Sequence, residues 1–358
     1  MRKKKNIFFG LVARVLLAAA AGLLLLSCLS VFINPVKAWL LVPLEILFWP
    51  LVLLNFALAV WAAIRRSKAI IIPLCALLPA LFFLGRFVQT KGGDGPEACK
   101  HNVRVVSYNV GRFQTYPEKY SPQDCRDSVN AFLRKTEADI ICLQEYHLSL
   151  QSLNIKNLLG TILRGYTPTF YFYTGKNGRF GNVILSRYPL KNKGFIKFDN
   201  SVNLAVWADY QIADRTIRVY NCHLESYGIS PAGVAGKLFG EDNKEVLEDT
   251  GRKVRSSIGR RASQVDQIFK EMDDSPFETL VCGDFNDSPL SYTYFKTSLG
   301  HHDAFKQAGQ GFGATYPSTM PFIRLDYIFC PKMMTAVSCD TPRLHYSDHR
   351  PVVAHLQF

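Results

Sequence analysis

Thr279-Leu280-Val281-Cys282-Gly283-Asp284-Phe285-Asn286-Asp287-Ser288-Pro289 is an apolar run that ends in a glycine, an acid and an amide. The run reads as a buried strand, and Gly283 is expected to turn the backbone so that Asp284 and Asn286 emerge at the strand's carboxyl end. Side chains two residues apart point the same way, which suits a carboxylate that activates water beside an amide that holds a phosphate oxygen. Taken alone, the stretch favours a plainer reading, an Asx-type turn before a helix opened by Pro289.

The same plan recurs outward from it. Val103 to Gly111 is a strand ending in Asn109, and Ala138 to Glu145 is a buried strand whose Glu145 suits a hard divalent cation. Thr216 to Leu224 places His223 at a strand end, Asp326 opens the apolar run to Cys330, and Asp348-His349 stand before the strand that starts after Pro351. Residues 123 to 136, 260 to 272 and 290 to 299 read as helices, and 166 to 222 as a meander of strands. Each polar residue singly is a turn, a loop or a structural histidine. Jointly, acids, amides and histidines recur wherever an apolar strand meets a loop.

Six motifs carry a resemblance: Ser-Tyr-Asn-Val (107 to 110), Leu-Gln-Glu (143 to 145), Asn-Cys-His-Leu (221 to 224), Gly-Asp-Phe-Asn (283 to 286), Arg-Leu-Asp-Tyr-Ile (324 to 328) and Ser-Asp-His-Arg-Pro-Val (347 to 352). In order and spacing they resemble the endonuclease/exonuclease/phosphatase superfamily over 103–358. The resemblance implies an α/β fold, a four-layer α/β/β/α sandwich of two packed mixed sheets, with the site at one end. It implies Glu145 as the principal Mg²⁺ or Mn²⁺ ligand with Asn109 and Asp348 close by. Asp284 would orient and deprotonate water, and Asn286 would hold a phosphate oxygen. His349, held by Asp326, and His223 would stabilise the phosphoryl charge. A carboxylate that supports the first histidine in pancreatic-type deoxyribonucleases is replaced here by Gly181-Asn182. Membrane phosphodiesterases of the neutral sphingomyelinase type are more similar in residue type. A catalytically silent binding or scaffold protein of the same fold is the alternative.

The net charge of +13 does not by itself indicate nucleic acid. Up to residue 90 ten Lys/Arg face the single acid Glu45, while the rest of the chain has 32 against 28. The excess flanks apolar runs, where basic residues set membrane orientation. Three spans are expected in 1–90, at about 15–33, 38–64 and 69–88, followed by a flexible linker over 91–102. With the clusters Arg2 to Lys5 and Arg65 to Lys68 in the cytoplasm, 103–358 lies outside a bacterial inner membrane. The expected partners are the lipid bilayer and a phosphate-ester substrate, phospholipid or nucleic acid. Glu45 is expected to reach interfacial water. Cys142, Cys222, Cys282 and Cys330 read as buried thiols, while Cys99 and Cys125 could pair if extracytoplasmic.

Overall fold

The computed structural model describes residues 2–95, 101–151, 154–160, 162–227, 243–317 and 323–358. The chain forms two compact units, Met1–Phe87 with Ser288–Phe295, and Val88–Asp287 with Lys296–Phe358.

The first unit contains α1 (Arg2–Ser30), α2 (Val42–Ile46), α3 (Phe48–Ile64) and α4 (Ile71–Leu84). Within α1, the 21 residues Gly10–Ser30 are long and apolar enough to cross a membrane. The segment expected as one span over 38–64 is broken: Trp39–Ile46 and Phe48–Ile64 meet at 65°. Pro50 accounts for the break, because it has no N–H to bond the Ile46 carbonyl one turn earlier. At 14 residues, α4 is shorter than the span expected over 69–88. Polar side chains join these helices: Asn55 Nδ2 donates to the Ala20 carbonyl at 3.0 Å and Ser27 Oγ to that of Leu44 at 2.8 Å. Glu45 is buried in the first turn of α2 rather than extended to an interface.

In the second unit one six-stranded sheet combines β1 (Asn102–Asn109), β2 (Ile140–Leu148), β3 (Thr167–Gly175), β4 (Gly178–Ser186), β11 (Thr335–Asp340) and β12 (Val352–Gln357) in the order β11-β12-β1-β2-β4-β3. The other combines β5 (Leu190–Lys197), β6 (Leu204–Ile212), β7 (Arg215–His223), β8 (Glu278–Asp284), β9 (His301–Asp303) and β10 (Asp326–Pro331) in the order β5-β6-β7-β8-β10-β9. Each is mixed, with parallel pairs β1/β2 and β7/β8 and antiparallel neighbours elsewhere.

The two-residue alternation of the strands sorts their side chains. Val103, Val105, Ile140, Cys142, Ile217, Val219, Leu280, Cys282 and Ile328 pack between the sheets. Val106, Tyr108, Ile141 and Leu143 face outward onto Cys125, Val129 and Leu133 of α5 (Pro122–Thr136). Cys125 is thus a buried free thiol, and Cys99 lies outside the described residues. A capping box between Ser121 and Asp124, with Pro122 behind the cap, starts α5. Among the described residues the remaining helices are α6 (Ile155–Gly160), α7 (Asn243–Asp273), α8 (Tyr292–Gly300), whose residues up to Phe295 are counted with the first unit, and α9 (Ala304–Ala308), with α7 extending well before the expected start at 260. Val265, Ile268 and Met272 of α7 meet Cys222 and Val281 on the second sheet's outer face.

The expected flexible linker is docked over its first residues. Gln89 pairs with Gly311, Gly95 N–H donates to the Val337 carbonyl at 3.0 Å, and a Cβ on Gly93 would lie 1.9 Å from that carbonyl oxygen. Only glycine permits this approach.

Buried amides tie the sheets together. Asn221 Nδ2 donates to the carbonyls of Leu143 and Val183 at 2.9 and 2.8 Å, while its Oδ1 accepts from Gln144 Nε2 at 2.7 Å. Asn182 Nδ2 reaches the Leu204 and Asn221 carbonyls, both at 3.1 Å, so this residue acts as a strut between sheets. Asn221 is a second strut, and Asn221→Leu takes the side-chain donor from the Leu143 and Val183 carbonyls and one of three acceptors from the Gln144 amide, which keeps Ser107 and the Cys142 carbonyl. The substitution is expected to cost about 3 kcal/mol, read as a lowered melting temperature, and a melting curve equal to wild type would contradict the strut.

Candidate active site

Alternation also selects the site residues. Asn109 continues the inward series Val103, Val105, Ser107; His223 follows Asn221, Asp284 follows Cys282, and Asp326 precedes Ile328 on the same inner face. Their strands end together, so the inter-sheet core opens into a polar cluster.

Glu145 is the exception. Strict alternation would send it outward with Ile141 and Leu143, but the pairing of β2 with β4 shifts register between Leu143 and Tyr146, and Glu145 adopts φ +51°. The bulge re-aims the carboxylate, as bulges at functional sites do. Arg112 (φ 56°), Phe113 (φ 60°) and Asn286 (φ 49°) at this end of the sandwich are also left-handed, as are Glu137, Asn200 and Ala213 at turns away from it. Gly283 serves close approach rather than a turn. Its φ of 143° sits within β8, and a Cβ there would lie 1.9 Å from the Cys222 carbonyl oxygen.

Asp284, 1 % exposed, is the centre. Its Oδ2 accepts from Asn109 Nδ2 at 2.9 Å and lies 3.8 Å from His223 Nε2 and 3.6 Å from His349 Nε2. Its Oδ1 accepts the Asn286 N–H at 2.9 Å. His349 Nδ1 donates to Asp326 Oδ2 at 2.8 Å. Asn286 Nδ2 donates to the Leu224 carbonyl at 2.9 Å and lies 3.4 Å from Asp284 Oδ2. Glu145 stands at the mouth with its side chain 25 % exposed; Oε1 is 3.3 Å from Asn109 Nδ2 and 3.7 Å from His223 Nε2, and Oε2 accepts from Arg112 Nε at 3.2 Å. Seven residues singled out in the sequence thus meet in one cluster. Asp348 is placed beside the cluster rather than in it: its Oδ1 lies 3.4 Å from the Thr115 hydroxyl and 3.3 Å from that of Ser347, which in turn donates to the Asn109 carbonyl at 2.8 Å.

Burial raises the Asp284 carboxyl above its ordinary range; Asp326 adds to this, while His349, His223 and the Asn109 hydrogen bond oppose it. Burial alone would discharge His349, but Asp326 and Asp284 outweigh it and hold the ring well above the usual imidazole value. Burial acts to raise Glu145 as well, yet His223, Arg112, Asn109 and His349 together bring it below the usual glutamate value.

These differences separate two functions. The ligand atoms of Asp284, Asp326 and His349 lie within 4.8 Å of one another, a spacing that a metal ion could bridge. A protonated imidazole bonded to Asp326, however, has no lone pair to offer. Glu145 fits a cation better, because it is ionised, partly exposed and made of hard oxygen, with Asn109 beside it. Arg112, Thr115 and Thr315, whose hydroxyl accepts the Asp326 N–H at 3.1 Å, were not singled out in the sequence, and Ser347 was quoted within a motif but given no role. Arg112 adjoins a recognised motif, whereas Thr315 has no local signature.

The raised His349 value stabilises the fold fully below about pH 6.5, and that contribution is lost as pH climbs through the folded value. Asp326→Asn removes the largest favourable partner. The His349 ring pKa should fall, followed by NMR titration of the metal-free protein, and a value unchanged from wild type would contradict the assignment.

The family model described as "Endonuclease/Exonuclease/phosphatase family" matches residues 106–349, and a domain of unknown function (DUF8431) matches 6–87. The uncharacterized protein YbhP of Escherichia coli K12 is 25% identical over 271 residues, covering 71% of this chain and 96% of that protein. Among solved structures, an endonuclease/exonuclease/phosphatase family protein from Leptotrichia buccalis superposes with a TM-score of 0.54 at 14% identity, over 72% of this chain and 100% of that one. The endonuclease/exonuclease/phosphatase from Bacteroides vulgatus gives 0.51 at 19%, over 72% and 99%. These structures share the fold. The match over 106–349 shows that the chain belongs to the endonuclease/exonuclease/phosphatase family, whose members are hydrolases acting on phosphoester bonds and generally use divalent metals.

Proposed function

We propose that the chain is a divalent-metal-dependent phosphodiesterase anchored in a bacterial inner membrane, acting outside the cytoplasm on a phospholipid head group or a nucleic acid. The observation that carries this reading is the separation of an ionised, accessible Glu145 from a buried Asp284 whose proton affinity is raised. Mg²⁺ or Mn²⁺, held by Glu145 with Asn109 and Asp348, supplies positive charge against the phosphate when bound.

The remaining chemistry belongs to the side chains. Asp284 accepts a proton from the attacking water, a task its raised pKa favours, and Asn109 fixes the carboxylate's orientation. His349 presents Nε2 as a charged donor to a non-bridging oxygen, while Asp326 holds the opposite ring nitrogen. His223 is the second donor, between Glu145 and Asp284. Asn286 turns the amide hydrogen that faces Asp284 towards a phosphate oxygen. A phosphodiester repels nucleophiles, and these donors offset its charge while the base positions water.

Asp284→Ala and His349→Ala are each expected to lower Mg²⁺-dependent hydrolysis of bis-(p-nitrophenyl) phosphate by about 10²- to 10⁴-fold. Unchanged rates with this substrate and with lipid vesicles would end the reading.

Membrane display is argued from Gly10–Ser30 and from the basic clusters at Arg2 to Lys5 and Arg65 to Lys68, and with both clusters in the cytoplasm it requires the bent pair over 39–64 and the shorter apolar helix Lys68–Leu84 each to cross as well. Tethering raises the effective concentration of an enzyme at lipid. An alkaline phosphatase fused after Phe358 should be active in cells and a fluorescent protein fused there dark. The opposite pair of results would place the domain in the cytoplasm.

A further inference from the structure

Lys253, Arg255, Arg260 and Arg261 lead into the helix expected over 260 to 272, and the sequence of 228–262 reads plainly as a solvated loop and helix face, or more sharply as a mobile substrate-facing loop. Arg261 is instead 2 % exposed. From α7 its Nη1 donates to the Glu225 carbonyl at 2.7 Å and to the Asn286 carbonyl at 2.5 Å, its Nε pairs with Asp287 Oδ2 at 3.2 Å, and its guanidinium lies 4.3 Å from the Tyr227 ring centroid. Burying a guanidinium is costly unless its donors are met, and here two carbonyls, a carboxylate and an aromatic face meet them.

The partners define what this group does. Glu225 stands two residues after His223, and Asn286 two residues after Asp284, so one guanidinium bridges the loops that leave the parallel strands β7 and β8. The same loops are cross-tied by the Leu224 N–H on the Asp284 carbonyl at 3.0 Å and by Asn286 Nδ2 on the Leu224 carbonyl. Asn286 sits in left-handed backbone, which few non-glycine residues adopt unless their surroundings impose it. Arg261 binds the carbonyl of that residue, and the Asn286 N–H binds Asp284 Oδ1. A chain of contacts therefore runs from the helix to the carboxylate read above as the base.

We infer that Arg261 is a positioning residue for hydrolysis, setting the Asn286 backbone and the spacing of His223 from Asp284 without touching substrate. The inference rests on Asp284 being the base. The planar fork is essential to it, because a lysine ammonium keeps the charge but does not reproduce the fork that spans two carbonyls and Asp287. Merely fastening α7 to the sheet would lower stability and leave the kinetics of the folded enzyme alone.

The test uses the full chain in detergent, with bis-(p-nitrophenyl) phosphate and Mg²⁺. Arg261→Lys is expected to lower kcat by about 10- to 100-fold with KM within about twofold, the loss that a misplacement of about 1 Å produces. Mn²⁺ binding followed by electron paramagnetic resonance should stay at the wild-type affinity, because Glu145 is not displaced. In Arg261→Lys/Asp284→Ala the losses should not multiply, because the guanidinium acts through the placement of Asp284, and added guanidinium should restore part of the rate to Arg261→Ala. Asp287→Ala, which frees the guanidinium without removing it, should show a smaller loss of kcat at constant KM and serves if the Arg261 variants do not fold. Wild-type kcat in folded Arg261→Lys, multiplying losses in the double variant, or wild-type kcat in Asp287→Ala when the Arg261 variants do not fold would overturn the inference. An active wild type with such results leaves the hydrolase reading intact; an inactive wild type ends both.

Discussion

A carboxylate as deeply buried as Asp284 needs donors around it, and supplying them determines much of this end of the molecule. Asn109 comes from the first sheet, His223 and the Asn286 amide from the second, and His349 from the loop before β12. These groups reach one point only because the strands that carry them end at a common edge and point their side chains inward. The buried Asn221, Asn182 and Gln144 amides hold the two sheets in the registry this requires. An apolar core alone would leave the sheets freer to slide, since dispersion contacts have little directional preference.

Charge is divided unequally across the cluster. At the mouth, Glu145 is surrounded by His223, Arg112 and Asn109, and its carboxyl is pushed down despite its burial. Inside, Asp284 and Asp326 share the field of one imidazolium, and Asp284 is pushed up. Two acids with opposed proton affinities within one cluster suit one to a cation and the other to a proton. The bulge and left-handed backbone at Glu145 create this separation, because a regular strand would turn that carboxylate to the opposite face of its sheet.

Much of this was legible in the chain. Apolar runs ending in polar residues identified β1, β2, β7 and β8, and alternation within them names the inner face without coordinates. Asp284, Asn286, Glu145, Asn109, His223, Asp326 and His349 were all visible as strand-end residues. Less legible were features whose signal is nonlocal. Arg261 looks like any helix-surface arginine until the loops after β7 and β8 close over it. Thr315 marks itself by receiving the Leu325 and Asp326 N–H groups, and the docking of 89–95 depends on Gly311 and Val337, distant in sequence. The break at Leu47 has a local cause in Pro50, which the reading of 38–64 as one span, apolar apart from Glu45, passes over.

The central claim is that Glu145 holds the cation while Asp284 and His349 handle the proton and the phosphoryl charge. Anomalous diffraction from crystals of the full chain soaked in Mn²⁺ tests it most directly. The account predicts a peak within about 2.2 Å of a Glu145 oxygen, with Asn109 and Asp348 nearby and the His349 to Asp326 bond intact. A peak seated among Asp284, Asp326 and His349, with none at Glu145, would contradict it.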